Sequence, residues 1–283
     1  FNEDKKVVGY ILEAYDEMIA QLMLNDQIGT ATNYKCAIKS LINYKGNVPF
    51  LRVTPEYLKG YEKWMIENGR SSTTISMYLR TLRTIIHKAL HQQILPHSAY
   101  PFGRYNYSVP ASRNIKKALM LADIGLIFYY QPVNIMQSVA KDYWIFSYLC
   151  NGMNIKDIAL LTWESISNDT IIYERAKTSS TKQIKEAIRI PLEEDAIRII
   201  KLRSIPSSNP KDYIFPILIK GMTPLVQKRV IQQCVQNINK NMKKIAKGLG
   251  IEGNITTYTA RHSFATILMK SGASTEMIGG ALG

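Results

Sequence analysis

The first ninety residues repeat apolar side chains at the three- and four-residue spacing of helices with one buried face. One helix starts with a hydroxyl residue, a proline and an acid, Thr54-Pro55-Glu56, an order typical of helix N-termini. Thr30 or Thr32 is expected to cap the helix before it. Four short-linked segments of this kind predict a compact helical bundle. They cover about residues 7–23, 30–42, 54–69 and 71–90.

The rest of the chain predicts helices with a small sheet. Residues 170–177 and 187–192 alternate apolar and polar side chains around a Ser/Thr-rich turn, which predicts an antiparallel hairpin. Prolines and Gly103 interrupt any periodicity over residues 96–113, which predicts a linker, either solvated or lying along a phosphate backbone. We therefore expect a mainly α protein with a small antiparallel β-sheet, divided into domains at 1–110 and 114–283. Further helices are expected at about 121–130, 135–150, 155–163, 194–203, 223–247 and 260–270.

The charge of the chain favours a polyanionic partner. Lysine and arginine total 36 against 22 acids, a formal net charge of +14. Nucleic acid is the first expectation and an anionic membrane surface the second. The basic residues are spread over two mixed domains, which argues against a helix lying on a membrane. The distant cysteines Cys36, Cys150 and Cys234 predict buried free thiols and no zinc site.

Arg261 is the strongest candidate for binding a phosphate. Its planar guanidinium stays charged at any working pH and can bind two phosphate oxygens. We expect it to open the helix at 260–270, where backbone N–H groups would also face a bound anion. An isolated arginine at such a place would more often be an ordinary surface residue, so its neighbours decide the assignment.

Those neighbours carry a family resemblance. Arg261-His262-Ser263-Phe264-Ala265-Thr266, followed by Ser271-Gly272-Ala273 and Leu282-Gly283, resembles the second catalytic arginine box of the tyrosine recombinases. These phage-integrase-like enzymes cut and rejoin DNA. The resemblance implies a recombinase catalytic domain over 114–283 and, less specifically, a SAM-like core-binding domain over 1–110. It also implies site-specific recombination, by a mobile-element integrase, through a 3′-phosphotyrosyl intermediate without a metal, nucleotide or other cofactor.

The resemblance assigns roles to several residues. Arg261 would stabilise the transition state, and Lys177 would protonate the leaving 5′-oxygen. Tyr258 stands where the family usually has a histidine, and its phenol either donates a hydrogen bond to phosphate or only packs. His262 would support the site, and Lys182 in the hairpin turn would contact the DNA backbone.

The first arginine of the family is replaced in this chain. Asn154 occupies its position, and Asn154 with Asp157 is typical of a helix cap. Asp157 would support the active-site arginines. We expect Arg175 to supply the missing charge, because residues two apart on a strand, such as Arg175 and Lys177, share a face. A subset of mobile-element integrases resembles this chain in lacking that arginine.

The nucleophile of the family is expected beyond Gly283, because no tyrosine follows Tyr258. The sequence as it stands is therefore expected to bind DNA without cutting it. Two rival functions are a non-catalytic DNA-binding protein that keeps the fold and a metal nuclease. Paired carboxylates for magnesium are not evident, and activity in EDTA would exclude the nuclease.

The DNA contacts of the N-terminal domain are expected around residues 71–83. Hydroxyls at a helix start contact phosphates well, and Arg80 or Arg83 further along the helix can reach a groove. Capping of the helix by Ser72, with solvated arginines, is the alternative. The resemblance implies double-stranded DNA as the partner, a homotetramer on paired sites, a possible accessory DNA-bending protein and a bacterial, nucleoid-associated location in the cytoplasm. The candidate residues are Ser72, Thr73, Arg80, Arg83 and Arg104.

Overall fold

The computed structural model describes residues 9–111, 118–176 and 187–283. The chain forms two compact units, Phe1–Ile115 and Lys116–Gly283. Each unit encloses its own hydrophobic core. The predicted class, mainly helical with a small antiparallel sheet, is confirmed.

The N-terminal unit is the predicted helical bundle. Its helices are α1 (Ile11–Leu24), α2 (Ile28–Lys45), α3 (Pro55–Glu67) and α4 (Ser72–His91). The start of α3 is as predicted, because Thr54 Oγ1 accepts a hydrogen bond from the Tyr57 N–H at 3.2 Å. The predicted caps of α2 are wrong. Thr30 and Thr32 lie inside that helix, and the Thr32 hydroxyl donates to the Ile28 carbonyl one turn back. Fully buried side chains of the bundle include Tyr15, Leu41, Leu58, Tyr61, Leu79 and Leu82.

Residues 96–109 pack on the N-terminal unit instead of forming an extended connection. Phe102 and Tyr107 are buried in its core, and the Tyr107 hydroxyl donates to the Glu62 carboxylate on α3. The proline and glycine pattern therefore marks an irregular segment that is folded, since aromatic anchors between the turns bury enough apolar surface to hold it.

The central helix of the C-terminal unit is α6 (Ile135–Leu149). It packs against α8 (Glu194–Arg203), α9 (Pro224–Gly248) and α10 (Thr257–Lys270). Trp144, Ile145 and Phe146 are fully buried on α6. The Trp144 indole N–H donates to the Thr256 carbonyl at 3.0 Å and so fixes the residue that caps α10. Further helices of the unit are α5 (Leu121–Tyr129), α7 (Ile155–Leu160) and α11 (Thr275–Leu282).

The sheet has three antiparallel strands in the order β1-β2-β3: β1 (Ile166–Ser167), β2 (Thr170–Tyr173) and β3 (Ile188–Pro191). Ile171 pairs with Ile166 on one side and Ile190 on the other, and its side chain is buried. The predicted hairpin is present, but β2 ends at Tyr173, so Arg175 lies beyond the strand. The alternation that placed Arg175 and Lys177 on one strand face therefore does not apply to Arg175.

The cysteines differ from one another in exposure. Cys36 is exposed, so the prediction that all three thiols are buried is wrong. Cys36 lies on the solvent side of α2, whereas Cys150 is buried and Cys234 half-buried.

Within the described ranges, no helix combines the length and apolar character needed to cross a membrane. The same ranges contain no cluster of three or more histidine, cysteine or acidic side chains placed to hold a metal ion.

Candidate active site

Arg261 lies inside α10 and does not begin it. The helix starts at Thr257, where Thr256 and Thr259 form a reciprocal capping box. The expectation that Arg261 opens the helix, with free backbone N–H groups around an anion, is therefore wrong. The threonine cap adds one turn before Arg261, so any anion at this site would be bound by side chains.

The Arg261 guanidinium is held in a fixed position inside the unit. The residue is 9% exposed, its Nη1 donates to the Gly152 carbonyl at 3.1 Å, and its Nη2 donates to the Leu282 carbonyl at 2.7 Å. Burial and then the nearby charge of Arg175 lower its pKa, while Tyr173 and Asp157 act in the opposite direction. Arginine remains protonated even so, and the site carries a positioned, partly desolvated cation.

Gly152 makes the close approach to Arg261 possible. Its φ is +67°, a region that favours glycine, and a Cβ built on it would lie 2.5 Å from the Arg261 Cα. The loop between α6 and α7 therefore packs backbone against backbone on α10. Any larger residue at position 152 would push the loop away from the guanidinium that its carbonyl binds.

Asp157 joins the loop after β2 to the start of α7. It is 4% exposed, and its Oδ1 accepts from the Ala176 N–H at 3.0 Å. Burial raises the pKa of this carboxyl, while the Ala176 bond, the charge of Arg175 and a hydrogen bond with the Asn154 side chain oppose the rise. Asp157 thus places one acidic group among the arginines, the position expected for a supporting residue.

Asn154 is the residue before α7, but its side chain does not cap the helix. The predicted capping arrangement is therefore wrong in its bonding, because the Asn154 side chain hydrogen-bonds to the buried Asp157 carboxyl instead. A hydrogen bond between an amide and a carboxylate is stronger than a hydrogen bond between two neutral groups. Asn154 therefore bonds to the same carboxyl whose pKa the charge of Arg175 lowers.

Arg175 lies beside Arg261, although their sequence separation is large. Its Nη1 donates to the backbone oxygen of Gly283, the residue after the one that accepts from Arg261. The charge of Arg175 also lowers the pKa of Arg261. Two guanidinium groups over adjacent backbone oxygens form a cationic centre that can bind an oxyanion in place of those carbonyls.

Tyr258 and His262 lie one turn apart on α10, next to this centre. Their rings pack edge to face with centroids 4.3 Å apart, and Tyr258 is 57% exposed. The phenol is therefore accessible to a ligand from solvent, and the imidazole supports its ring. Tyr258 also contributes to the electrostatic field at Arg261.

Not every predicted site residue falls in this cluster. Lys177 and Lys182 lie outside the described residues. The candidates of the N-terminal unit belong to the other compact unit, where their side chains are exposed. Those candidates are Ser72, Thr73, Arg80, Arg83 and Arg104. Ser71 is the residue that caps α4, since its Oγ accepts from the Thr74 N–H, so capping by Ser72 is wrong.

Three further residues lie at or near the site, and no role was predicted for them from the sequence. Gly152 allows the loop to approach Arg261 closely. A glycine two residues before Asn154 is the sequence feature that could have identified it. Tyr173, at the end of β2, has a raised pKa caused by burial and by Asp157. Ser263 is fully buried and accepts from the Leu119 N–H at 2.9 Å, which ties the start of the unit to α10. These long-range contacts have no local periodicity that could reveal them.

The comparisons with known protein families identify the class of protein. The phage integrase SAM-like domain matches residues 10–109, and the phage integrase family matches residues 136–283. The second match spans more than half of the chain, and the chain therefore belongs to the phage integrase family, the tyrosine recombinases. Site-specific DNA recombination is the activity of that enzyme class.

Curated relatives agree with this assignment. The tyrosine recombinase XerC of Thermodesulfovibrio yellowstonii is 24% identical over 272 residues, 93% of this chain and 84% of the relative. The tyrosine recombinase XerD of Listeria monocytogenes serotype 4b is 24% identical over 79% of this chain and 72% of its own length.

Solved structures share the fold. The Tn1549 transposon integrase in complex with transposon right end DNA has a TM-score of 0.70 at 18% identity, covering 97% of this chain and 91% of that one. A lambda integrase (75-356) dimer bound to a core site has a TM-score of 0.63 at 13% identity, covering 97% and 96%. At these identities the likeness extends to the fold alone.

Proposed function

We propose that this chain holds double-stranded DNA for strand cleavage and rejoining by the integrase of a mobile element. The observation that carries the proposal is the pair of arginines, Arg261 and Arg175, gathered over adjacent backbone oxygens beside the buried Asp157. A scissile phosphodiester has the charge and the oxygen geometry that such a pair can bind. The solved relatives that share the fold include integrases bound to DNA, as their descriptions state.

In this proposal Arg175 supplies the charge that Asn154 lacks. Arg175 acts on both Asp157 and Arg261, so its guanidinium is within electrostatic reach of the whole cluster. The phosphate would exchange places with the Leu282 and Gly283 oxygens, because a charged acceptor binds guanidinium more strongly than a neutral carbonyl does. Tyr258, exposed beside the cluster, would donate a further hydrogen bond to that phosphate.

The covalent step needs a tyrosine and a proton donor. A tyrosine oxygen would attack phosphorus, the bond to the 5′-oxygen would break, and Lys177 would give that oxygen its proton. The reverse attack by a 5′-hydroxyl would release the tyrosine, so no cofactor or energy source is needed.

A basic surface on α9 also supports DNA holding. This helix carries six lysine and arginine residues and no acid, and five of the six are exposed. The arrangement can neutralise backbone phosphates without reading sequence. The residues are Lys228, Arg229, Lys240, Lys243, Lys244 and Lys247.

Substitution of either arginine should weaken DNA binding more than substitution of an exposed arginine outside the cluster does. We expect Arg261→Gln and Arg175→Gln each to lower affinity about tenfold and to reduce the slope of log K against log salt by about 0.9, the value for one phosphate contact. Fluorescence anisotropy of a labelled duplex measures both quantities, and the thermal unfolding midpoint confirms that each variant is folded.

The matched control is Arg198→Gln, an exposed arginine on α8 that pairs with Asp195. It removes the same formal charge from the same unit. If Arg175→Gln weakens binding no more than Arg198→Gln does, Arg175 does not replace the missing arginine. If both active-site variants match the control, the cluster does not bind phosphate, and a DNA-binding protein without a recombinase site becomes the better account.

We further propose that four copies assemble on paired DNA sites in the bacterial cytoplasm. One relative in fold is described as a lambda integrase tetramer bound to a Holliday junction. An accessory DNA-bending protein would assist that assembly, as the family resemblance implies.

A further inference from the structure

The irregular segment after α4 ends in a loop, residues 103–106, that presents two large side chains to solvent. Tyr105 is 93% exposed, and the guanidinium carbon of Arg104 lies 6.0 Å from the centre of its ring. A guanidinium beside a ring face keeps its N–H edge available for hydrogen bonds. The loop therefore carries a cation and an aromatic surface side by side.

The loop is rigidly held at both ends. Phe102 and Tyr107 flank it, pair through a bridge and are 3% and 4% exposed. The Gly103 N–H donates to the Tyr107 carbonyl at 3.1 Å, and the Asn106 N–H donates to the Gly103 carbonyl at 3.2 Å. Gly103 has a φ of +141°, which allows the sharp reversal. The backbone that carries Tyr105 is thus set before any partner binds, which lowers the entropy cost of using the loop as a contact.

The loop continues the exposed basic face of α4. The Asn106 side chain donates to the Tyr100 carbonyl at 3.1 Å, and the Tyr100 hydroxyl is 2.9 Å from Nε2 of His87 on α4. The charge of Arg83, one turn before His87, also acts on Tyr100. One connected surface therefore runs from the arginines of α4 to the tip of the loop.

We propose that the 103–106 loop is a second DNA-contact element beside α4, with Arg104 on a phosphate and the Tyr105 ring against deoxyribose and base edges in a groove. The inference rests on the DNA holding proposed above and adds an apolar contact to it. Duplex DNA fits both parts of the loop, because each nucleotide of the backbone offers a phosphate next to the apolar carbons of its deoxyribose. The arginines that continue this surface favour a polyanion over a neutral protein partner.

The two side chains should affect binding in different ways. Tyr105→Ala should lower DNA affinity about fivefold, the lower end of the range for a stacked base, because the ring meets sugar and base edges and not a base face. The loss should be the same at every salt concentration, because no charge is removed. Tyr105→Phe should bind like the unsubstituted chain. Arg104→Gln should instead reduce the slope of log K against log salt by about 0.9. Fluorescence anisotropy with one labelled duplex, between about 50 and 200 mM salt, measures all of these.

Tyr129→Ala is the control, since Tyr129 at the end of α5 is 84% exposed and belongs to the other unit. Normal affinity of Tyr105→Ala, in a chain that binds DNA with the expected salt response, would overturn the loop contact and leave the proposed function intact. An equal loss in Tyr129→Ala would also overturn it, because the effect would then not belong to the loop. Failure of the unsubstituted chain to bind DNA would overturn both proposals.

Discussion

Gly152→Ala is expected to destabilise the C-terminal unit by about 2–5 kcal/mol. About 1–2 kcal/mol comes from forcing a side chain into the left-handed region, where φ is +67°. The remaining 1–3 kcal/mol or so comes from overpacking, because the new Cβ would lie 2.5 Å from the Arg261 Cα. Urea unfolding followed by tryptophan fluorescence measures the change. A Trp64→Phe background restricts the signal to Trp144 and Trp163, both in this unit.

Gly250→Ala is the matched control. Gly250 has nearly the same backbone conformation, with a φ of +69°, but a Cβ there meets nothing within 4 Å. The control therefore contains the backbone strain without the collision and should cost about 1–2 kcal/mol. Equal losses in the two variants would show that the loop does not press on Arg261, and the close approach that positions the guanidinium would have to be abandoned.

Arg203→Ala should cost about 3–5 kcal/mol of folding free energy, because it leaves a buried carboxylate without its cation. Arg203 on α8 binds Asp142 on α6 through Nε at 2.8 Å and Nη2 at 2.7 Å, with side-chain exposures of 12% and 7%. The same fluorescence-detected urea unfolding reports the change. The loss should be partly recovered by adding Asp142→Ala, since the double variant no longer buries an unpaired charge.

The same helix provides the comparison for this ion pair. Arg198 pairs with Asp195 at 3.1 Å, but both side chains are about half exposed. Arg198→Ala should change stability by no more than about 1 kcal/mol, because solvent screens exposed pairs. A loss in Arg203→Ala as small as that in Arg198→Ala would contradict the assignment of the Arg203–Asp142 pair as a buried link between the helices.

The sequence predicted those elements whose signals are local. The helix after Thr54 is an example, because a hydroxyl cap, a proline and an acid all act within one turn of chain. The predicted start of α10 is too late. The helix is capped by Thr256, together with Thr259, whereas its apolar run begins further along the chain. The sequence predicts a linker over residues 96–113 because aromatic anchors such as Phe102 and Tyr107 have no periodic spacing.

The candidate site was predicted residue by residue, but its geometry could not be. Arg261, Arg175 and Asp157 were chosen for their chemistry and for the family resemblance. Their proximity depends on contacts between distant residues, such as Arg261 with Gly152. The sequence predicts a strand that continues to Arg175. The strand ends at Tyr173 instead, and Arg175 lies in the loop that follows it. The course of such a loop depends on tertiary packing and not on local sequence.

The most direct test of DNA holding is the salt dependence of duplex binding by the 283-residue chain. If the basic surfaces and the arginine cluster together neutralise six to ten phosphates, affinity should fall by about 10³–10⁵ between about 50 and 200 mM salt. Anisotropy of a labelled duplex, plotted as log K against log salt, gives the number of phosphates from the slope. A steep straight line is the predicted result. A slope near zero, or no binding at the lowest salt concentration, would contradict the account.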